Sequence, residues 1–493
     1  MCGIAGIFQF NGSPADLGLL REMTTRMAHR GPDGSGHWRN PGSACALGHR
    51  RLSIIDLSDA ASQPMHYLGR YTMVFNGEIY NYIELREALK KRGVLFSTES
   101  DTEVLMAMYH EHGEKCLETL DGMFAFAIWD EREQKLFCAR DRFGEKPFYY
   151  SHTPERFVFS SEIKGLKAFG MNLKADPSRV FRFAIKGTVD DPHDASRTFY
   201  LGISQLEPAN SLTIEREGRS RKQRYWELPS VDSPVKKMEQ VIGEFYELLS
   251  SSVRLRLRSD VPVGSSLSGG LDSTSIVHLV NTLLKPGQKQ KTFSAVFPGF
   301  EKDEKDLVHL FLSGREMIEP HFISPGAQQF ADDIGKIIDA HDEPFGSASI
   351  VAQWYVMKAA KENGITVLLD GQGADELFAG YLPLYETYLN ELGRKRSPRY
   401  HKEVTAFRSR YGREHRVSRS TLFSWRYPWL FSFLSLLKAP VRTKENNYAE
   451  WKKSGVVSPD YFQQAMKEED RMSREGNDDD LCKAQRKVLA GAG

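Results

Sequence analysis

Cysteine is scarce in this chain, and its few cysteines are widely spaced. Five occur among 493 residues, none of them in a CxxC pattern: Cys2, Cys45, Cys116, Cys138 and Cys482. So few cysteines cannot form a disulfide scaffold, and the missing CxxC pairs exclude a zinc ribbon. Because sparse cysteine is typical of a reducing compartment, we expect a cytoplasmic protein.

Net charge and long apolar runs are also lacking. The 66 lysines and arginines almost balance the 65 aspartates and glutamates, which leaves a formal net charge of +1. Such a chain has no overall electrostatic attraction to nucleic acid or to an anionic membrane. Its most apolar late stretch, residues 425–437, contains Arg426 and Pro428 and is shorter than the roughly 20 residues that cross a bilayer. We therefore expect neither nucleic acid nor a membrane as a partner.

Apolar residues, by contrast, are plentiful enough for large buried cores. Hydrophobic residues make up 40% of the chain and aromatic residues 11%, which excludes global disorder. At roughly 150 residues per domain, the length predicts about three domains, and two large ones also fit.

The first 170 residues mix strand-like and helical patterns. Residues 4–10 are typical of a strand, and residues 71–75 predict a strand that enters a tight turn at Asn76-Gly77. Two apolar runs, 124–129 and 136–139, flank a charged segment and predict a β-hairpin.

A different pattern begins near residue 241. Residues 241–257 are amphipathic and predict a helix, and strand-like segments follow at 261–267, 292–297 and 366–369 with helical segments between them. Strands that alternate with helices predict a parallel α/β sheet. A polar, turn-rich segment at about 205–240 is the predicted junction.

Cys2 directly follows the initiator methionine. If Met1 is removed, Cys2 carries a thiol and a free α-amine, and an amine with a reference pKa of about 8 can serve as the base for its own nucleophile. An isolated cysteine at this position is more often accidental. Its assignment therefore depends on the motifs around it.

Several further segments accompany Cys2 in order. They are MCGIAGIF at residues 1–8, HRGPD at 29–33, RLSIID at 51–56, FNGEIYN at 75–81, Ser100-Asp101, and RDRFGEKP at 140–147. Together they closely resemble the class II (N-terminal-nucleophile) glutamine amidotransferases over about residues 1–165. The resemblance implies an α+β glutaminase domain with an αββα sandwich, which we assign to residues 1–205.

In that role the charged residues of the motifs suit the two ends of glutamine. Arg51 suits the α-carboxylate, because a guanidinium forms bidentate pairs with carboxylates. Glu78 and Asp101 suit the α-ammonium. A surface salt bridge is the alternative for Arg51 taken alone, and it becomes the weaker interpretation once the motifs occur together.

Asn76 and Gly77 suit the oxyanion that forms when Cys2 attacks the γ-carboxamide. A side-chain amide N–H and a backbone N–H can then face one oxygen, and losing one such donor typically slows a reaction about 100-fold or more. Taken alone, the Asn-Gly pair is better explained as an ordinary hairpin turn.

A serine- and glycine-rich loop, SGGLDS at residues 268–273, lies between a predicted strand and a helix expected to begin at Thr274. Its glycines allow close backbone approach, the hydroxyls of Ser268 and Ser273 can donate, and the helix N-terminus favours an anion. The loop lacks the Gly-Lys-Ser/Thr ending of a Walker A motif. Composition alone leaves a pyrophosphate site and a simple turn equally open.

With SDVPVG at 259–264 in front of it, the loop resembles the pyrophosphatase-loop ATP site of asparagine synthetases. That family cleaves ATP to AMP and pyrophosphate and forms an acyl-adenylate. Residues 367–381 resemble the family's strand-loop-helix segment that holds metal and the acyl-accepting carboxylate, and Asp342-Glu343-Pro344 matches as well. The resemblance implies an α/β parallel-sheet synthetase domain at residues 241–390, after a linker at 206–240.

The same resemblance assigns residues to ATP and Mg²⁺. We expect Asp272 and Asp375 to coordinate Mg²⁺. The expected ATP contacts are Leu267, Ser268, Gly269, Gly270, Leu271, Asp272, Ser273, Val296, Asp370 and Gly371. The substrates implied are glutamine, ATP and aspartate or another carboxylic acid, and a homodimer is left open.

Gln372 departs from the family pattern. Members that make asparagine commonly carry glutamate at this catalytic position, and a neutral amide cannot take a proton or repel a misplaced anion as a carboxylate does. The difference keeps a second acceptor acid open, such as the carboxyl group of a uronic acid.

Beyond about residue 390 the motifs cannot be followed. The family's Arg-x-Pro-Phe-Leu-Asp segment is missing, and nothing selects a pyrophosphate-contacting lysine among Lys395, Lys438 and Lys452. We expect residues 391–493 to form a divergent or incomplete helical region, with an aromatic cluster at 423–434 and a basic, solvated helical face at 394–419. A glutaminase with a defective synthetase half is therefore a third hypothesis. The lack of an assignable pyrophosphate-contacting lysine favours it slightly.

Overall fold

The computed structural model describes residues 1–191, 194–229, 236–301 and 303–412. These residues divide into two compact units. The first contains residues 1–175 and 194–372, and the second contains residues 176–191 and 373–412. Within the first unit we distinguish the N-terminal domain (1–175 and 194–229) from the parallel-sheet domain (236–301 and 303–372). The aromatic cluster at 423–434, Lys438 and Lys452 lie outside the described residues.

The N-terminal domain is built on two six-stranded sheets in which every neighbouring pair of strands is antiparallel. Its strands are β1 (Gly3–Gln9), β2 (Gly34–Arg39), β3 (Cys45–Arg51), β4 (Met65–Tyr67), β5 (Tyr71–Ile79), β6 (Gly122–Asp130), β7 (Lys135–Arg140), β8 (Tyr149–His152), β9 (Arg156–Ser160), β10 (Ser204–Gln205), β11 (Asn210–Ile214) and β12 (Ser220–Arg224). The first sheet has the order β10-β8-β9-β1-β3-β2, and the second has the order β12-β11-β7-β6-β5-β4.

Helices cover the outer face of each sheet. The helices between residues 1 and 191 are α1 (Leu17–Arg26), α2 (Tyr82–Lys90), α3 (Asp101–His112), α4 (Ile163–Ala168) and α5 (Pro177–Lys186), the last of which belongs to the second unit. Two short 3-10 turns lie at Asp59–Ala61 and Gly113–Glu118.

The alternation of side chains along each strand explains how the sheets and helices pack in layers. In β6, Ala125, Ala127 and Trp129 enter the core between the two sheets, whereas Phe124 and Phe126 enter the core under α2 and α3. Successive side chains of a strand point to opposite faces, so each strand supplies two cores. A third core joins the first sheet to α1 and α4. The expected αββα sandwich is confirmed.

The turn that the sequence predicts at Asn76-Gly77 is wrong. The pair does not form a turn: β5 continues through it to Ile79, with Asn76 opposite Ala125 and Gly77 opposite Phe124 in β6. Long-range pairing with β6 overrides the local turn preference of Asn-Gly. The hairpin predicted at 124–139 is present as β6 and β7.

The predicted linker is shorter than 206–240. β11 and β12 lie inside that range, and β11 pairs with β7 over Ser211–Ile214, so the second sheet extends to Arg224. Short strands in a polar segment give a weak signal, because their stability comes from the neighbouring strand.

The parallel-sheet domain contains four strands in the order β15-β14-β13-β16. Its strands are β13 (Val263–Ser266), β14 (Gln290–Ala295), β15 (Ile318–Ile323) and β16 (Val367–Leu369), and its helices are α6 (Met238–Arg256), α7 (Leu271–Leu283), α8 (Lys305–Leu312), α9 (Ala327–His341) and α10 (Ser349–Glu362). One apolar cluster joins β15 to α7 and α8, and a separate one joins β14 to α10. The expected parallel α/β sheet is therefore confirmed.

The second unit is helical beyond residue 372. Its helices are α11 (Ala374–Phe378), α12 (Leu382–Arg394) and α13 (Tyr400–Tyr411). α13 buries Phe407 and leaves its basic residues exposed, as expected for a solvated face. Lys395, one of the lysines considered for pyrophosphate, forms an ion pair with Glu391 at the end of α12. Along the described ranges, none of the helices combines the length and apolar character that crossing a bilayer demands.

Candidate functional site

Cys2 immediately precedes β1, a central strand of the first sheet, and both its side chain and its backbone are held. Its Sγ accepts a hydrogen bond from the Leu52 backbone N–H at 3.3 Å and lies 3.6 Å from the Leu52 oxygen. Its carbonyl oxygen accepts a hydrogen bond from Arg30 Nε at 2.8 Å. The nucleophile candidate is therefore fixed at the edge of the sandwich core.

One cleft of the N-terminal domain contains every residue that the sequence assigned to glutamine. It is lined by Cys2, Arg51, Asn76, Gly77, Glu78 and Asp101, with Met1, Lys146 and others around them. The six assigned residues come from four separate segments of the chain, and the fold brings all of them together.

Asn76 is fully buried in the wall of this cleft. Among the described residues neither its Nδ2 nor its Oδ1 has a hydrogen-bond partner. A buried amide without a partner is costly, and such a group often serves a ligand. Gly77 leaves no room for a side chain, since a Cβ there would lie 2.2 Å from the Met123 oxygen.

Arg51 lines the cleft without a carboxylate partner among the described residues. Its guanidinium donates to the Ser58 carbonyl oxygen at 2.8 Å and to the Asp56 carbonyl oxygen. The surface salt bridge is thereby excluded as its explanation within the described chain, and two backbone carbonyls fix the direction of the cation.

The acidic side of the cleft is strongly desolvated. Burial raises the pKa of the Glu78 carboxyl to about 7, with Lys146 opposing the shift and Asp101 adding to it. Burial likewise raises the pKa of Asp101 to about 6, against a hydrogen bond from the Ile79 N–H at 2.9 Å. A ligand cation would stabilise both carboxylates in their charged forms.

The pKa values of the Cys2 thiol and of the neighbouring Met1 α-amine are also shifted. Burial raises the pKa of the Cys2 thiol, and the hydrogen bond to Leu52 opposes this. Burial lowers the pKa of the Met1 α-amine to about 5. The Met1 α-amine is therefore neutral at physiological pH.

The SGGLDS loop lies in the parallel-sheet domain, at the carboxyl end of β13. α7 begins at Leu271, earlier than the predicted Thr274, so Asp272 and Ser273 lie in its first turn. The Oγ atoms of Ser268 and Ser273 are 3.0 Å apart, and the Ser268 N–H donates to Ser273 Oγ at 3.2 Å. The helix N-cap is Gly270, which has no side chain that could cap the helix, and a helix N-terminus favours an anion.

Three neighbouring strand ends surround this loop. Val296 follows β14, and Asp370-Gly371 follows β16, with β13 between them. A Cβ on Gly371 would lie 3.1 Å from Asp272 Cβ, so the two loops touch. Ligands of open α/β sheets bind outside the carboxyl ends of the strands, which is where these residues meet.

The two residues expected to hold Mg²⁺ belong to different units. Asp272 lies in the first unit, and Asp375 lies in the second, exposed on α11. Groups of three or more metal-ligating side chains do not occur in the described part of the chain. One or two carboxylates suit Mg²⁺, which prefers to take its other ligands from phosphate and water. The carboxylate of Asp272 is of the type that fits a phosphate-bound Mg²⁺, and the assignment of Asp375 stays a prediction.

Comparison with known families also divides the chain into an N-terminal part and a C-terminal part. Residues 1–226 match the glutamine amidotransferase domain family, and residues 244–478 match the asparagine synthase family. A Methanocaldococcus jannaschii protein assigned as glutamine-hydrolysing asparagine synthetase 2 is 36% identical over 420 residues, which cover 80% of this chain and 78% of that protein. The chain belongs to the glutamine-hydrolysing asparagine synthetase family.

Two other relatives share less of their own length with this chain. Asparagine synthetase 1 of Bacillus subtilis is 36% identical over 388 residues, which span 77% of this chain and 59% of that enzyme. A Gibberella zeae relative named amidase chry2 is 32% identical, again over 59% of its own length. The asparagine synthase match reaches residue 478, beyond the point near 390 where the motifs could no longer be followed.

The sequence analysis assigned no role to Lys146, a buried residue that lines this cleft. Lys146 lies in the RDRFGEKP motif, is only 5% exposed and contacts Met1 Sδ through Nζ at 3.0 Å. A lysine in a loop is ordinarily solvated, so only its place in the motif could have indicated its role. Gln372, by contrast, is exposed directly after Gly371, beside the loop that ends β16.

Proposed function

We propose that this chain hydrolyses glutamine at Cys2 and uses the released ammonia to amidate an acid activated by ATP, most simply aspartate to asparagine. The observation that carries the proposal is the pairing of two centres in one compact unit. A buried Asn76 amide with no hydrogen-bond partner among the described residues lies in the cleft with Cys2, and the N-terminus of α7 lies at the carboxyl ends of a parallel sheet.

In the first reaction the free α-amine of Cys2 takes the thiol proton. The thiolate attacks the γ-carbonyl carbon of glutamine, and Asn76 Nδ2–H and the Gly77 N–H donate to the resulting oxyanion. Return of the proton to the leaving nitrogen releases ammonia and leaves a thioester on Cys2. Water then hydrolyses the thioester to glutamate. Arg51 holds the α-carboxylate, and Glu78 with Asp101 holds the α-ammonium.

In the second reaction the acid's carboxylate attacks the α-phosphorus of ATP, and pyrophosphate leaves. The N–H groups at the start of α7 and the hydroxyls of Ser268 and Ser273 hold the phosphates. Asp272 and Asp375 would hold Mg²⁺, which neutralises phosphate charge when bound. Ammonia then attacks the acyl-adenylate carbon and displaces AMP, which yields the amide.

Gln372 supports a second acceptor acid. A neutral side chain at this position neither repels nor protonates groups as glutamate does, so a differently charged acid can be accommodated. The relative named amidase chry2 indicates that the architecture is not confined to one named activity. Amidation of another carboxylate, such as a uronic acid, is therefore the alternative.

One assay tests both versions. AMP and the product amide are measured with ATP, Mg²⁺ and either glutamine or ammonium, for aspartate and for a panel of uronic acids. AMP formation that requires aspartate supports asparagine synthesis, and dependence on a uronic acid supports the alternative. Glutamine hydrolysis without AMP from any acid would refute both and favour a glutaminase with a defective synthetase half.

The remaining parts of the proposal are a cytoplasmic location and a homodimer. Light scattering of the purified 56.0-kDa chain tests the second: a mass near twice that value supports it, and a monomer refutes it.

A further inference from the structure

A largely inaccessible aspartate of the parallel-sheet domain contacts the N-terminal domain. Asp342 ends α9 in the left-handed conformation, with φ of 60°. Its Oδ2 accepts a hydrogen bond from the Ile163 backbone N–H at 2.7 Å, and its Oδ1 lies 3.5 Å from Lys164 Nζ. Non-glycine residues with positive φ are uncommon and need support from their surroundings. These two contacts supply that support from the other domain.

The contact continues toward the nucleophile through alternating charges. Lys164 Nζ lies 3.1 Å from Glu162 Oε2, and Arg30 Nη1 donates to Glu162 Oε1 at 3.0 Å. Arg30 Nε then donates to the Cys2 carbonyl oxygen at 2.8 Å. An unbroken series of polar contacts thus joins Asp342 to the backbone of Cys2.

All four charged side chains of this series are nearly inaccessible to solvent. Their exposed fractions are 9% for Arg30, 8% for Glu162, 11% for Lys164 and 10% for Asp342. Burial by itself would raise the pKa of Glu162, but the hydrogen bond from His29 and the charges of Arg30 and Lys164 lower it to about 2. Buried pairs of this kind are highly sensitive to the loss of one partner, because the other charge is left uncompensated.

The far end of the series leads toward the nucleotide loop. The loop after Asp342 enters α10, whose Gln353 Nε2 donates to Asp370 Oδ2 at 3.2 Å. Asp370 precedes Gly371, the residue that touches Asp272. The series of polar contacts thus ends at Asp342, and the helix that follows Asp342 in the chain contacts the predicted ATP site.

We propose that Asp342 and Lys164 are positioning residues for Cys2, acting across the domain boundary through Glu162 and Arg30. Arg30 fixes the Cys2 carbonyl, and the orientation of that peptide sets where the thiol and the α-amine point. Without the charge of Asp342, Lys164 would draw Glu162 away from Arg30 and loosen the nucleophile. The inference rests on the proposed hydrolysis of glutamine at Cys2.

The test uses the full chain with Asp342→Asn, Lys164→Met, the double variant and Lys164→Arg. Asparagine tolerates the left-handed conformation and keeps an oxygen for the Ile163 N–H, so Asp342→Asn removes charge with little change of shape. The matched control is Glu84→Gln, which breaks an exposed ion pair between the same two domains, Glu84 with Arg258 at 2.5 Å. Exposed pairs of this kind contribute little, so the control should behave as the wild type.

Three kinds of measurement are made. Steady-state kinetics give kcat and KM for glutamine hydrolysis, a diazoketone analogue of glutamine gives the rate of Cys2 labelling, and a third assay follows ammonium-dependent AMP formation. We expect Asp342→Asn to lower kcat and the labelling rate about tenfold, with KM and ammonium-dependent AMP formation within about twofold of the wild type. Lys164→Arg should retain most of the activity. The double variant should lose no more activity than the more impaired single variant, because Lys164→Met removes the charge that would draw Glu162 away from Arg30.

Unchanged kcat and labelling in Asp342→Asn would overturn the inference while leaving glutamine hydrolysis intact. Losses that multiply in the double variant would overturn it too, because they indicate independent roles. A parallel fall in both activities together with the melting temperature would show a merely structural contact. A wild-type chain that does not hydrolyse glutamine would instead refute the proposed function itself.

Discussion

Asp260 Oδ2 accepts a hydrogen bond from the backbone N–H of Asp56 at 2.7 Å. Asp260 precedes β13, whereas Asp56 lies in the loop whose carbonyls hold the Arg51 guanidinium. Asp56 has φ of 55°, so its backbone needs support. The cleft proposed for glutamine is thus braced by the parallel-sheet domain on the side of Arg51.

Replacing Asp260 with alanine should therefore weaken glutamine binding. The Asp56 N–H loses its acceptor, the loop relaxes and Arg51 becomes less well oriented, which we expect to raise KM for glutamine about threefold to tenfold. Steady-state glutamine hydrolysis measures this, with Asp260→Asn as the control that keeps an acceptor oxygen. A fall in kcat at constant KM would contradict the assignment of Arg51 to the substrate carboxylate.

Asn76→Ala should slow glutamine hydrolysis strongly. The buried Nδ2 has no partner among the described residues, so its loss removes a donor to the oxyanion without breaking another contact. We expect kcat to fall about 100-fold or more with KM nearly unchanged. Thermal unfolding supplies the control, because the melting temperature should not fall. A small kcat effect would mean that the oxyanion lies elsewhere.

Glutamine binding should weaken as the pH falls from 8 to 6. The pKa of Glu78 is raised to about 7, so its carboxylate is charged above that pH and neutral below it. Loss of this charge removes attraction for the substrate ammonium, and Kd should rise about tenfold over this interval. Calorimetry on the inactive Cys2→Ala variant measures binding without turnover. In a variant that also carries Glu78→Gln, Kd should rise only about twofold, because Asp101, whose pKa is raised to about 6, still loses part of its charge. A curve as steep as that of Cys2→Ala alone would exclude Glu78 as the group.

Much of the cleft is predictable because its chemistry depends on local motifs. Cys2, Arg51 and Asp101 were assigned from residue type and order, and the fold joins them. The strand through Asn76-Gly77 was not predictable, because pairing with β6 decides it. Nor were the partners of Arg30 and Ile163, since Glu162 is 132 residues from Arg30 and Asp342 is 179 residues from Ile163. Sequence motifs give the residues of each centre, whereas only the tertiary structure gives the contacts between domains.

Asp272→Asn should abolish AMP formation and leave glutamine hydrolysis intact. The carboxylate lies in the first turn of α7, where phosphate charge and Mg²⁺ would meet, and the amide cannot neutralise the metal. AMP is measured with the acid that the wild type uses, and glutamate release in the same reaction serves as the control. AMP formation near the wild-type level would exclude the loop as the pyrophosphate site.

The central claim is that two separate centres divide the chemistry, and Cys2→Ala tests it most directly. AMP and amide formation by this variant are compared with glutamine and with ammonium as the nitrogen donor. We predict complete loss with glutamine and wild-type rates with ammonium, because the thiol serves only the release of ammonia. Equal loss with both donors would contradict the two-centre account.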